Sequence, residues 1–415
     1  MARTTRTATL SVDFYLKPLY IASMKPIDLK KCRQRLQEYL NDLFTSLGRS
    51  ERRHWGSVYV RGLLLDGKRK SIEPMANRMP EGNVQAMQQF INQSPWPHEP
   101  LRQKLAEKLV REMLPAQAWI IDDTGFPKKG KHSVGVAKQY SGTLGSVGNC
   151  QVAVSLNFAV GRHCMPLNFA LYLPEAWTQD AARMADAGVP EGTVFQTKFD
   201  LAFELIDKAL EWDIPRGVVV CDSFYGKSRT IRNGLIERNL DFVAEITSKN
   251  AVIWPDRKEQ LARGCSGREL RQISVKELAL SLPTWKWKTV CWRKGTKKKL
   301  VSRFAAIRVD PGAGQREKSI PQLRQWLLIE WPKGVDNPTK YWFSSMNAQT
   351  KIRRLVELAK ARYLVEQNYQ QQKDELGLDH FEGRSWLGWH HHVSMNMVAF
   401  GFLLLEGLWG KKKTG

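Results

Sequence analysis

The chain reads as a mixed α/β protein, with a sheet core interrupted by a β-rich insertion and preceded by a helical region. Three observations predict this. From residue 118 onward, apolar runs of strand length alternate with helical stretches in the order strand, strand, strand, helix, strand, helix, strand. Residues 248–348 break that alternation with strand-like segments joined by basic turns containing Pro or Gly. Residues from about 26 to 115 place their apolar side chains at helical spacing. The expected divisions are 1–115 for the helical region, 116–247 for the first part of the core, 248–348 for the insertion, and 349–415 for the last core helix and a helical C-terminal region.

The elements follow in order. Pro26-Ile-Asp28 opens a helix whose apolar positions Leu36, Tyr39, Leu40 and Leu43 share one face. Further helices are expected over His54–Leu65, around Met87–Ile91 and over Leu101–Met113. Short helices in a basic segment suit either a DNA-binding module or a helical cap. Ala118–Asp123 is an apolar run ending in two carboxylates. Asn149–Val160 and Cys164–Leu173 form a hairpin across Gly161-Arg162-His163, so the first three strands make a meander. A helix over Phe199–Trp212 leads to the strand Gly217–Asp222, which again ends in a carboxylate. A helix over Arg229–Asn239 and a strand over Asp241–Thr247 complete the alternation. In the insertion, Trp285–Arg293, Leu300–Val309, Gln325–Trp331 and Lys340–Ser344 are strand-like. Lys351–Lys373 then reads as one long helix, and the remainder is helical to the basic tail Lys411–Lys413.

Composition narrows the function. The 415 residues include 64 Lys and Arg against 41 Asp and Glu, a net charge of +23. With 42% hydrophobic and 25% charged residues the chain is of globular, not disordered, type. So large a positive excess points to a polyanion as partner, nucleic acid or an anionic membrane surface. A membrane-spanning segment is not expected, because the most apolar stretch, Val393–Trp409, is interrupted by Ser394, Asn396, Gly401 and Glu406. The opening MARTTRTATLSVDF has arginines but no apolar stretch behind them, so it does not read as a secretory signal. Its Arg and Thr content is that of a transit peptide, against which stand Asp13 and the short length. Six cysteines without a C-x-x-C pair read as reduced thiols of a cytosolic protein. His390, His391 and His392 have no partner cysteines and make a poor zinc site.

Carboxylates carry the chemistry. Asp122 and Asp123 close one strand and Asp222 closes another, where ligands collect in α/β sheets. Each can also be a plain turn or helix cap. On the late helix, Arg362, Glu366 and Lys373 are separated by four and seven residues, which brings them within roughly 40° of one another on one face. A carboxylate flanked by two cations is either an intrahelical ion pair or a metal ligand between phosphate-binding groups. Lys128, Lys129 and Lys131 follow Asp123 and can meet a DNA backbone or decorate a solvated turn. Between Lys286 and Lys299, seven Lys or Arg and no acids are interleaved with Trp287 and Trp292, and Trp285 precedes them. This mixture can bind phosphates and stack on unpaired bases, although alternation along a strand turns some of these rings into core. Other chemistries fit less well. Gly142–Gly148 precedes a strand and is a turn rather than a dinucleotide loop. Cys221 and Ser223 lack a partner base, and paired glycosidase carboxylates would not need the flanking cations.

These segments together resemble the insertion-sequence DDE transposases. Arg362, three residues, Glu366, six residues and Lys373 resemble the end of that family's Y-R-E-K signature. Asp122-Asp-Thr-Gly-Phe-Pro-Lys-Lys-Gly-Lys131 resembles its first catalytic segment, and Val219-Val-Cys-Asp-Ser-Phe-Tyr-Gly226 its second. The resemblance runs from about residue 55 to 395. It departs from the family at Ala359, where the signature has Tyr, leaving that role to Tyr363, Tyr369 or no residue.

The resemblance implies a ribonuclease-H-like core in which Asp123, Asp222 and Glu366 bind two Mg²⁺ ions, with Mn²⁺ as a substitute. Only one of the adjacent aspartates can face the metals, since neighbours on a strand point to opposite sides. In related transposases the catalytic Asp directly precedes Thr, which favours Asp123, with Asp122 as the alternative. Two ions about 4 Å apart would serve in-line phosphoryl displacement. Clustered acids without metal should repel one another and raise at least one pKa. The resemblance further implies Mg²⁺-dependent cleavage at transposon ends and strand transfer into target DNA by cut-and-paste. Arg362, Lys373, Lys128, Lys129, Lys131, Lys297 and Lys298 would then hold DNA, and Trp287 or Trp292 would stack on a flipped base. Double-stranded DNA is the implied partner, a homodimer in a synaptic complex the implied assembly, and the bacterial cytoplasm and nucleoid the implied place. A catalytically silent, domesticated DNA-binding descendant and a nuclease without strand transfer are the competing readings.

Overall fold

Ala118, Trp119, Ile120 and Ile121 are all buried, and a run apolar on both faces belongs in the middle of a covered sheet. It opens β1, Ala118–Pro127. The computed structural model describes residues 29–254, 257–264, 270–294, 299–312 and 324–412. The opening segment discussed above, together with Lys297, Lys298 and Lys413, lies outside these residues. The chain divides into two compact units. One comprises residues up to Leu105 and from Gln370 onward, the other Ala106–Tyr369.

In the larger unit, β1 runs antiparallel to β3 (Ser146–Val160), which turns at Gly161 into β4 (His163–Tyr172). A short β2 (Ala137–Ser141) pairs with the beginning of β3 through a turn over Gly142–Gly145. On its other side β1 is parallel to β5 (Val218–Cys221), and β5 is parallel to β6 (Phe242–Ile246). Three antiparallel strands followed by two parallel ones make the ribonuclease-H-like arrangement. Helix Lys198–Glu211, with its Thr197–Asp200 capping box, packs on β3 and β4.

The β-rich segment continues this sheet by direct pairing. β12 (Lys340–Ser344) lies antiparallel to β6, β11 (Gln325–Trp331) to β12 and β10 (Lys299–Pro311) to β11. β9 (Lys288–Lys294) and β7 (Ala251–Ile253) pair with β10, and β8 (Gln272–Ser274) with β7. The segment is not wholly β. Helix Val275–Ser281 starts at a Ser274–Glu277 capping box, visible in the sequence as S-V-K-E.

Two local expectations are corrected. Asp122 and Asp123 stand in the middle of β1, not at its end, because β3 pairs with β1 as far as Pro127. The long helix expected over Lys351–Lys373 is two helices, Ile352–Ala359 and Tyr363–Asp374. The chain turns between them, where the Lys360 amino group is drawn to Glu330 on β11.

The smaller unit is helical. Helices Leu29–Leu43, Ser50–Leu64 and Val84–Asn92 surround the helix Trp386–Lys412, with Leu40, Val58, Ile91, Val393 and Val398 fully buried. That last helix is long and apolar enough by composition to cross a membrane over Trp386–Trp409, but 67% of that window is buried inside the fold. Its histidines serve packing. His391 stacks on Trp96 at 3.5 Å between centroids and meets the carbonyls of Ile91 and Trp96, and His392 Nδ1 meets Tyr59 Oη at 2.8 Å.

One close approach fixes the end of β5. A Cβ on Gly226 would sit 2.1 Å from the Glu245 carbonyl oxygen and 3.0 Å from Ala244, so the turn after Asp222 lies against β6 only because residue 226 has no side chain. Gly226→Ala should lower unfolding stability by about 1–3 kcal/mol, as overpacking does. Urea denaturation of the intact chain measures this, and unchanged stability would exclude the close approach.

Candidate active site

Parallel pairing of β1 with β5 aligns Ile121 with Cys221, so the next residues, Asp122 and Asp222, emerge side by side. Asp222 turns into a four-residue helix, Ser223–Gly226, and caps it by accepting from the N–H groups of Phe224 (3.0 Å) and Tyr225 (3.3 Å). This is the cap role that the D-S pair allowed. It leaves the second carboxylate oxygen for other partners.

The two neighbouring aspartates on β1 face opposite sides. Asp122 is paired with Ser155 and Asp123 with Val154, and residues directly opposite in a ladder share a face. On the Ser155 side lies helix Tyr363–Asp374: Tyr369 Oη is 2.5 Å from Ser155 Oγ and donates to the Asp122 carbonyl at 3.3 Å. On the other side Asp123 accepts from the Lys198 amino group and the Tyr225 hydroxyl. Asp122 is therefore the aspartate on the face of the Glu366 helix, while Asp123 is anchored to Lys198 at the start of its own helix.

Arg362 joins the set. Its Nη1 lies 3.0 Å from Asp122 Oδ2, and its Nη2 lies 2.6 Å from Glu366 Oε1. Burial works against the guanidinium's charge, and the carboxylates of Asp122, Glu366, Glu245 and Asp222 outweigh it, holding the pKa above the usual value. Glu366 itself is exposed, so its side chain has room to leave Arg362. Asp122 is buried, and burial pushes its pKa up to about 7, the Arg362 charge opposing and Asp222 and Asp123 adding. Asp222 is raised too, again first by burial and then by Asp123. The expected rise is present, but loss of solvent contributes more to it than mutual repulsion.

Among the described residues no three His, Cys, Asp or Glu side chains form a ready-made metal cage. The donors are nonetheless those a hard divalent cation takes. Buried Asp122 and half-buried Asp222 carry raised pKa values, and exposed Glu366 is held by a cation, Arg362. Asp122, Asp222 and Glu366 are the residues that would hold it.

Residues 42–299 match the family described as DDE superfamily endonuclease, more than half of the chain. The chain belongs to this family. Over 330 residues it is 27% identical to the probable transposase for insertion sequence element IS701 from Microchaete diplosiphon, covering 77% of this chain and 74% of that protein. The stretch matched to the DDE superfamily endonucleases contains Asp122, Asp123 and Asp222 and stops before Glu366.

The remaining expected residues are dispersed. Lys129 and Lys131 are exposed on the loop after β1, and Lys128 is half-buried there, its N–H donating to the Asn149 carbonyl. Lys373 is half-buried seven residues beyond Glu366 on the same helix. Trp287 is half-buried with its ring edge on Trp331, 5.2 Å between centroids. Trp292 packs edge-on against Phe304 and has the Lys360 amino group 4.6 Å from its ring. The freely exposed ring of that stretch is Trp285, at 70%. Neither tyrosine near the signature stands free: Tyr369 is buried on Ser155, and the Arg293 guanidinium lies 4.3 Å above Tyr363.

Sequence reading missed Lys198 and Tyr225. The signal was faint, a Lys directly after the Thr of a T-x-x-D cap and a Tyr three residues after Asp222.

The raised pKa of Asp122 has a measurable consequence. An unfolded chain releases this proton near pH 4 and the folded one near 7, so between those values the folded state holds more protons and stability falls as pH rises. In metal-free buffer, wild-type stability relative to Asp122→Asn should decline from pH 4 to 7 and level off above. Added Mg²⁺ should stabilise the wild type more at pH 8 than at pH 5, and a pH-independent difference in urea denaturation would refute this.

Proposed function

We propose that this endonuclease is a transposase of the insertion-sequence type. It cleaves DNA at the ends of its element and transfers the freed 3′ ends to target DNA, with Asp122, Asp222 and Glu366 as the acidic set. The observation that carries this reading is the Arg362 bridge, which draws Asp122 and Glu366, 244 residues apart in sequence, together beside Asp222. The likeness to the probable transposase for insertion sequence element IS701 supports it, as does the +23 charge, which suits a DNA partner.

Asp122 takes precedence over Asp123 because only one of them shares a face with the Glu366 helix. Asp123 then serves as an anchor, its carboxylate fixing Lys198 and Tyr225 beside the site. When bound, divalent ions supply an activated attacking oxygen and a stabilised leaving oxygen. The chain's own residues do the rest. Arg362 is counter-ion to Asp122 and Glu366 in the bare site, and its forked donors suit a phosphate whenever those acids are engaged elsewhere. Lys373, Lys129 and Lys131 add phosphate contacts. The helices of the smaller unit and the β-rich segment read the element's ends, and two copies act together on paired ends, in the bacterial cytoplasm.

A supercoiled plasmid carrying the native element ends tests the reading. Glu366→Gln and Asp122→Asn should each reduce Mg²⁺-dependent end cleavage by about a hundredfold to a thousandfold, the loss seen when a principal electrostatic group is removed, while retaining DNA binding. Asp123→Asn should keep measurable cleavage. Full cleavage by Glu366→Gln defeats the assignment. Binding without cleavage by the wild type would favour the silent descendant, and released ends without joined products would favour a simple nuclease.

A further inference from the structure

Phe224 is a large apolar ring exposed at the edge of an acidic site. It follows Asp222 by two residues, and its N–H donates to the Asp222 carboxylate at 3.0 Å, yet its side chain remains 40% exposed. The ring packs against two aromatic neighbours. Phe199 supports it at 5.2 Å between centroids and Tyr225 meets it edge-on at 5.1 Å. Cations stand close by: the Lys198 amino group lies 5.4 Å and that of Lys227 5.8 Å from the ring centroid. Phe195 and Val194, also exposed, are found nearby in sequence to Lys198, and the Phe195 ring contacts Tyr172, over which Lys198 also lies.

A supported, exposed aromatic ring with lysines close by, two residues from the proposed phosphoryl-transfer carboxylate Asp222, meets the requirements of a base-stacking site. Paired bases in a duplex keep their faces covered, so such a ring is useful only to a base that has left the stack. Lys227 supplies charge for the phosphates of the same strand, while Lys198 stays paired with Asp123. Burying this ring against another protein would not call for the flanking cations.

We propose that Phe224 is a stacking platform for an unpaired nucleobase of the DNA strand engaged at Asp122 and Asp222. The inference rests on the reading of that site as a DNA phosphoryl-transfer centre, but its test needs no cleavage. Full-length protein is titrated in EDTA with a short duplex ending in a thymidine overhang and with the blunt duplex of the same sequence, and binding is followed by fluorescence anisotropy. Phe224→Leu keeps an apolar group on Phe199 but removes the aromatic face. It should weaken overhang binding at least about fivefold, the low end of what base–aromatic stacking contributes, and leave blunt-duplex binding within about twofold. Phe224→Trp should retain overhang binding. Equal affinity of Phe224→Leu and wild type for the overhang, or an equal loss on both DNAs, overturns the proposal. A second measurement is independent of any variant's folding: 2-aminopurine as the first unpaired base should be quenched on binding wild-type protein, and an unquenched probe also overturns it. Cleavage by Glu366→Gln would defeat the catalytic reading while leaving these binding results intact, so the two can fail separately.

Discussion

A carboxylate in the middle of a buried strand must have its charge met or give it up, and Asp122 imposes that condition on the larger unit. Stripping an ion of water costs several kcal/mol even after relaxation. The fold answers in two ways at once. Burial moves the Asp122 pKa up to about 7, so near neutrality the group is partly protonated, and Arg362 stands at 3.0 Å to pair with the remaining charge. Arg362 can do this only if helix Tyr363–Asp374 lies on the Ser155 face of β1, and the Tyr369 hydroxyl on Ser155 holds it there. Glu366 arrives as a consequence, one turn further along the same helix.

The β-rich segment has a structural part in this arrangement. Lys360, two residues before Arg362, is half-buried. Its amino group is paired with Glu330 of β11 and lies near the rings of Trp292, Phe304 and Trp342. Burial lowers its pKa against the pull of Glu330, and the aromatic faces offset part of the lost hydration. Arg293 covers Tyr363 from the same strand as Trp292. The extension of the sheet thus grips both sides of Arg362, at the break between the two helices. Trp292, whose composition and setting suited a base-stacking role, is one of the rings committed to this grip.

Much of this was legible beforehand, for physical reasons that differ by residue. Ala118–Ile121 and Val218–Cys221 announce buried strands because they are apolar on both faces, and each leads into an aspartate. Arg362 and Glu366 fall four apart, which predicts their ion pair wherever the helix starts. Strand alternation said that Asp122 and Asp123 diverge, but not which one meets the helix. That depends on Ser155 and Tyr369, contacts 33 and 247 residues from Asp122 that no local pattern contains. The break at Lys360 was hidden for the same reason. The segment has helical periodicity throughout, and the break coincides with the long-range pair of Lys360 with Glu330.

The distribution of charge completes the logic. A protein that works on DNA with carboxylates must attract one polyanion while keeping its own anions together, and the two requirements act over different distances. The net +23 acts over about a Debye length, roughly 8–10 Å at ordinary ionic strength, and brings DNA to the surface. At the site, contact pairs decide: Arg362 serves Asp122 and Glu366, and Lys198 serves Asp123. Neither cation is spare in the bare protein, so a phosphate entering the site competes with carboxylates for Arg362. Under the proposed function, divalent ions would relieve that competition by taking the carboxylates themselves. Under that proposal a site built in this way would bind phosphate and metal more favourably together than separately, because one guanidinium is shared between two acids.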